Sequence, residues 1–176
     1  LDNPHTFYED ADYHLNDWNH FNAVSLNEFD EILLSSRNWC EIYVIAYNWG
    51  DGDILYRWGN PQNYGRGDDS DKMLEAQHGV NEIPIGYPGE ENIILFNNNA
   101  VLESVSRGDT SEVIEFRPPD DYYIEEGEPW GPTEPIWTFR DDFYAPKQSG
   151  AFRLPNGNTF VTVAGGDMFE VTYDKE

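Results

Sequence analysis

The sequence of 176 residues contains a single cysteine, Cys40, and no long apolar run. One cysteine cannot form an intramolecular disulfide, and it disfavours a cysteine-based metal site. Because Cys40 lies between Trp39 and a predicted strand, we expect a buried thiol at a strand end. The longest apolar runs, such as residues 93–96, have the length of a strand. A membrane-spanning helix needs about 20 apolar residues, so none is predicted.

Basic residues are also scarce. Three lysines and seven arginines face 34 acidic residues, which gives a formal net charge of −24. Phosphate binding needs a basic surface, so we expect no nucleic-acid partner, and an anionic membrane is disfavoured for the same reason. The N-terminal residues 1–4 have neither the basic nor the apolar segment of a signal peptide. The missing initiator Met indicates a processed or truncated product.

Helical periodicity is nearly absent, and only residues 69–76 favour one or two helical turns. Elsewhere, short apolar runs are separated by clusters of Gly, Pro, Asn and Asp, which is typical of an all-β protein. Apolar residues make up 39% of the chain, enough for one domain with a core.

The predicted strands repeat in units of four. The first unit comprises residues 20–24, 31–36, 41–45 and 53–58, the second 77–80, 92–97, 112–116 and 135–139, and the third 149–154, 158–162 and 168–172. The units start roughly 60–65 residues apart, more than the 40–50 residues usual for a propeller. Long loops at residues 62–77 and 118–135 account for the excess.

Four strands per unit predict the antiparallel blades of a β-propeller, with the first strand innermost. We therefore expect one partial propeller domain over residues 1–176, with blades at about 17–60, 76–140 and an incomplete one at 147–176. That makes about two and a half to three blades, whereas closed propellers have about four to eight. Further blades are expected either from a longer chain or from other chains in a homo-oligomer.

The first strands should line one central channel. His20, His78 and Ser149 precede the second strands of their units by twelve, fifteen and ten residues. We therefore expect these three residues to occupy comparable positions on the channel.

Several segments resemble bacterial arylsulfotransferases, in the order of that family. They are DWNHFNAV at residues 17–24, DEILLSSR at 30–37, YRWGNP at 56–61, QH at 77–78, NIILFNN at 92–98 and QSGAFRLPNGNT at 148–159. The resemblance implies a six-bladed propeller, often dimeric and typically periplasmic or secreted. It also implies transfer of a sulfuryl group from an aryl sulfate to a phenol, with no nucleotide donor or other cofactor.

The resemblance further assigns roles to four residues. His78 is implied as the nucleophile that becomes sulfated, His20 and Asn22 as active-site residues, and Arg37 as a sulfate ligand. These residue types suit the chemistry. A neutral imidazole attacks sulfur, a second imidazole moves the phenol proton, and a guanidinium holds the negative oxygens.

The sequence departs from the family pattern in places. Gly79 and Val80 follow QH where the family usually has Asp and Ala, Asn99 replaces a glycine, and one further family histidine has no counterpart. Three alternatives stay open. Asn22 could bond the blade backbone instead of substrate. The acidic loops at 51–53 and 68–71 could bind Ca²⁺, although solvated turns are favoured. The chain as a whole could be a non-catalytic binding or assembly module.

Overall fold

The computed structural model describes residues 17–47, 52–100 and 110–176, which contain eleven strands in three antiparallel sheets. The first sheet consists of β1 (Phe21–Leu26), β2 (Ile32–Ser36), β3 (Glu41–Ile45) and β4 (Ile54–Trp58). The second consists of β5 (His78–Glu82), β6 (Ile93–Asn97), β7 (Glu112–Phe116) and β8 (Trp137–Phe139). The third consists of β9 (Gly150–Arg153), β10 (Thr159–Thr162) and β11 (Met168–Val171).

Each sheet follows chain order, so the first strand of each lies at one edge. These edges meet, because β1 contacts β5 and β5 contacts β9. Four-stranded sheets that meet along their first strands are the blades of a propeller. The predicted all-β fold and its repeating strands are confirmed.

The second sheet separates two hydrophobic cores. On one face, Ile93 and Phe116 pack with Leu33 and Tyr56 of the first sheet. On the other face, Phe96 and its neighbours pack with residues of the third sheet. Consequently every residue of β6 and β7 is buried. Blade-on-blade packing therefore fixes the positions of the three first strands relative to one another.

The first sheet has one covered and one open face. The paired residues Leu33, Val44 and Tyr56, on the face towards the second sheet, are buried. The adjacent row on the other face runs from Leu26 through β2 and β3 to Ile54. Leu26 and Ile54 are about half exposed, at 54% and 50%. An apolar row of this kind has the composition of a blade interface.

The helical turns predicted over residues 69–76 are mostly wrong. Only Asp69–Asp71 forms a short 3₁₀ helix, and two others lie at Pro61–Tyr64 and Asp120–Tyr122. Asp68 accepts the backbone N–H of Ser70 at 2.8 Å, and Asp71 accepts that of Asp68 at 2.8 Å. Within the described ranges, no helix is long and apolar enough to cross a bilayer.

Candidate active site

His78 is the first residue of β5 and is buried, with 8% of its surface exposed. Its ring nitrogen Nδ1 lies 2.9 Å from the carbonyl oxygen of Ala76 and 2.8 Å from Oδ1 of Asn98. The orientation of the Asn98 amide is fixed, because its Nδ2 donates to the carbonyls of Ala145 and Gln148 at 2.8 and 3.0 Å. Both groups at Nδ1 of His78 are therefore acceptors.

Two acceptors at one ring nitrogen determine the tautomer. Nδ1 of His78 must carry the hydrogen, and in the neutral ring the lone pair is then on Nε2. Among the described residues, Nε2 has no hydrogen-bond partner. Nε2, which takes no part in these hydrogen bonds, is therefore the nitrogen whose lone pair can act as a nucleophile.

Burial lowers the pKa of His78, because it penalises the charged ring. The hydrogen bonds to Asn98 and Ala76 oppose this effect, and the positive charges of Arg37 and His20 lower the pKa further. His78 is therefore held as a neutral imidazole at neutral pH. That is the form able to attack an electrophile.

The backbone around His78 is unusual on both sides. Ala76 has a φ of +58°, so its carbonyl lies against the ring of the residue two positions later. Gly79 has a φ of +62°, and a Cβ there would lie 2.7 Å from the Cα of Gly150. Gly79 stands where the family usually has Asp. The close approach of β5 to β9 explains this difference, because it requires glycine.

His20 directly precedes β1, and its side chain is 40% exposed. Its Nδ1 donates to the carboxylate of Asp17 in a short contact. As at His78, this leaves Nε2 as the outward nitrogen. The rings of Trp18 and Trp39 meet edge to face nearby, with centroids 5.6 Å apart.

Asn22 and Arg37 link this region to the first sheet. Nδ2 of Asn22 donates to the carbonyl of Gln77 at 2.6 Å, which joins β1 to the residue before His78. Oδ1 of Asn22 is buried and has no partner among the described residues. Arg37 is 4% exposed, and its backbone N–H donates to the carbonyl of His20 at 3.1 Å. The four predicted residues thus lie in one region, where the first strands begin.

The predicted alignment of His20 with His78 is wrong. The first hairpins share a backbone bond, from Asn27 N–H to the Glu31 carbonyl and from Ile83 N–H to the Asn92 carbonyl. With the sheets aligned at these bonds, His78, opposite Phe96, corresponds to Ala23, opposite Ser35, and counting back seven residues from each donor aligns His20 with Ala76. The positive φ values of His20, +46°, and Ala76, +58°, agree with this alignment.

Ser149 does not share the position of His20 either. In the third sheet Gly150 pairs with Thr162, as His78 pairs with Phe96 in the second. The third unit therefore has Gly150 where the second has its histidine. Ser149 instead accepts the backbone N–H of Ala164 through its Oγ at 3.0 Å.

Sequence reasoning missed Asn98. Asn98 directly follows β6, just as Arg37 directly follows β2. The repeat itself was the available signal, because the residue after the second strand faces the start of the first strand in both units. The predicted buried thiol is confirmed, since Cys40 is fully buried immediately before β3.

Other parts of the described chain offer different features. A cavity of about 630 Å³ lies at the far end of the first strands, where Asn27 and Glu82 line it, away from His78. Among the described residues, no cluster of His, Cys, Asp or Glu has the arrangement of a metal site. Asp51, from one of the acidic loops considered for Ca²⁺, lies outside those residues.

The chain matches a family model described as "Arylsulfotransferase (ASST)" over residues 4–175. No curated protein matches the sequence. Among solved structures, it is similar to a protein of unknown function from Bacteroides caccae, with 15% identity, a TM-score of 0.49, and coverage of 89% of this chain and 43% of that one. It is also similar to virginiamycin B lyase from Staphylococcus aureus, with 14% identity, a TM-score of 0.43, and coverage of 86% and 41%. The chain thus spans less than half the length of either structure.

Proposed function

This chain belongs to the arylsulfotransferase family, and on that premise we propose that it moves a sulfuryl group from an aryl sulfate to a phenol through a sulfated His78. The observation that carries the proposal is the neutral, buried imidazole of His78, whose Nδ1 is committed to two acceptors. Only Nε2 remains to attack sulfur. A nucleotide donor and other cofactors have no part in this reaction.

In the first step, Nε2 of His78 attacks the sulfur of the aryl sulfate. The N–S bond forms as the bond from sulfur to the aryl oxygen breaks, and the bonding pair leaves with that oxygen. The ring then carries a positive charge, which the two acceptors at Nδ1 stabilise. A proton from His20 converts the departing phenolate to a phenol.

In the second step, the acceptor phenol gives its proton to His20 and attacks the same sulfur. The new S–O bond forms while the N–S bond breaks, and its electron pair returns to Nε2 of His78. Both histidines are then in their starting states. Asp17, bonded to Nδ1 of His20, stabilises the charged ring before the first step and after the second.

The sulfuryl oxygens carry negative charge throughout. The buried guanidinium of Arg37 suits them, and so does an amide donor such as Asn22. Trp18 and Trp39 provide an aromatic surface beside His20 for the aryl ring. In a protein of net charge −24, Arg37 and the protonated ring of His20 form a locally positive region that favours an anionic substrate.

The test is incubation with 4-nitrophenyl sulfate, with and without a phenol acceptor, followed by peptide mass spectrometry. We expect nitrophenolate release and a sulfuryl adduct on the peptide that contains His78. The variant His78→Asn is the control, because its amide N–H replaces Nδ1–H while Nε2 is lost. Failure of the wild-type protein to release nitrophenolate or form the adduct would contradict the proposal.

A second candidate, a binding or assembly module, is supported by the exposed apolar row on the first sheet. Another sheet or a partner chain covering Leu26 and Ile54 would bury this row. Native mass spectrometry separates the two candidates. An oligomer that Leu26→Lys dissociates, in a protein without transferase activity, would favour the second.

A further inference from the structure

We propose that Asn98 is a positioning residue that makes His78 present Nε2, and not Nδ1, to the sulfur. The inference rests on the proposed function of His78 and deepens it. Asn98 follows β6 and is itself fully buried. Its amide supplies both the acceptor for His78 and the donor to the carbonyls of Ala145 and Gln148, in the segment that leads into the third sheet.

The amide of Asn98 has only one possible orientation. Its Nδ2 donates to two carbonyl oxygens, those of Ala145 and Gln148, so both amide hydrogens are used. A flipped amide would place Oδ1 against these two oxygens and direct N–H groups at His78. The carbonyls of the loop that leads into β9 therefore determine that an acceptor faces Nδ1 of His78.

The backbone of Asn98 is held as firmly as its side chain. Its carbonyl accepts from Oγ of Ser111 at 2.7 Å, and Ser111 in turn accepts the N–H of Ala145 at 3.0 Å. The next residue, Asn99, donates its N–H to the carbonyl of Glu75 at 3.1 Å. Fixed partners of this kind hold a functional ring in its productive orientation.

Asn98 also acts on the charge that appears during transfer. Once Nε2 is sulfated, the ring of His78 is cationic and its Nδ1–H becomes a stronger donor. The carbonyl of Ala76 alone would then have to accept it. Loss of the Asn98 acceptor should slow transfer by roughly 10- to 100-fold, the usual range for a hydrogen bond to a charged group.

The experiment combines ¹⁵N NMR of labelled histidines with pH–rate profiles for wild type, Asn98→Ala and the milder Asn98→Ser. His78→Asn assigns the His78 signals. We expect a neutral Nδ1–H tautomer in the wild type, and in both variants a mixed tautomer and a lower His78 pKa. The decrease of kcat/KM at acidic pH reflects protonation of neutral His78. In both variants this decrease should therefore shift to lower pH, while kcat itself falls.

The matched control is Asn81→Ala. Asn81 also bridges the second and third sheets, since its Nδ2 donates to the carbonyls of Gly79 and Ala151 at 2.8 and 2.9 Å, but it does not bond His78. We expect it to lower thermal stability without changing the tautomer. If the Asn98 variants match Asn81→Ala in tautomer, pKa and pH profile, the positioning role is overturned. Absence of transfer in the wild type would instead overturn the proposed function, while the NMR result would still decide the role of Asn98.

Discussion

Two histidines lie where the first strands of neighbouring sheets begin, and their surroundings differ in almost every respect. The side chain of His20 is 40% exposed and bonds a carboxylate. His78 is 8% exposed and bonds two neutral oxygens. A charged partner and contact with water suit a ring that gains and loses a proton, whereas burial among neutral acceptors suits one that stays neutral and attacks. The difference supports two roles for one residue type.

The sharpest test of this comparison replaces each histidine with asparagine, which keeps a donor in place of Nδ1–H. His78→Asn should lower kcat by roughly 10⁴-fold or more, because the nucleophile is lost. His20→Asn should lower it by about 10²-fold, since only proton transfer is lost. Steady-state kinetics measure both. Equal losses in the two variants would show that the histidines are not functionally distinct.

Aryl sulfates with different leaving groups test whether His20 protonates the departing phenolate. Nitrophenolate is a stable anion and needs little protonation, whereas the phenolate from unsubstituted phenyl sulfate needs more. We expect His20→Asn to slow sulfation from phenyl sulfate by about 10²-fold and from 4-nitrophenyl sulfate by about tenfold or less. Single-turnover assays with both donors measure the ratio. A variant equally slow with both would exclude His20 as the acid.

The variant Gly79→Ala tests the close approach of β5 to β9 beside His78. A Cβ at φ +62° and 2.7 Å from Gly150 should cost about 3 kcal/mol of unfolding free energy through backbone strain and overpacking. Gly65→Ala is the control, because its φ of +71° brings strain but no atom lies within 4 Å. It should cost about 1 kcal/mol. Denaturant unfolding compares them, and equal costs would contradict the close contact.

The smallest expected effect is on the pH dependence of stability. Burial holds the pKa of folded His78 below the unfolded value of 6.5. The unfolded state therefore binds the proton first, so this contribution is complete above pH 6.5 and is lost as pH falls through the folded pKa. His78→Asn should flatten the change in Tm between pH 7 and 5. An unchanged slope would show that His78 titrates normally.

The fold could be predicted from sequence more fully than the site. The strands were predictable because apolar runs and turn residues alternate so regularly. The helical turns predicted over residues 69–76 were mostly wrong because a single capped turn has the same residue pattern as the start of a helix. The alignment of His20 with His78 failed because it was counted from the second strands. The hairpin loops differ in length between units, so only the backbone bonds at Asn27 and Ile83 reveal the register.

The contacts of Asn98, unlike its place in the repeat, could not be predicted for a different reason. Its partners lie 20, 47 and 50 residues away, at His78, Ala145 and Gln148. No local pattern specifies such contacts, since they depend on how two sheets pack. Asn22 illustrates the same limit, because its bond to Gln77 crosses 55 residues.

The carbonyls of Ala145 and Gln148 have a consequence for cooperativity. They belong to the segment that leads into the third sheet, yet through Asn98 they set which nitrogen of His78 is reactive. Local opening of the third sheet would free the amide to rotate before the first two sheets lose their common core. Activity should then disappear at a lower denaturant concentration than the β-sheet signal does. The activity of His78 in the second sheet therefore depends on the third sheet being packed against it.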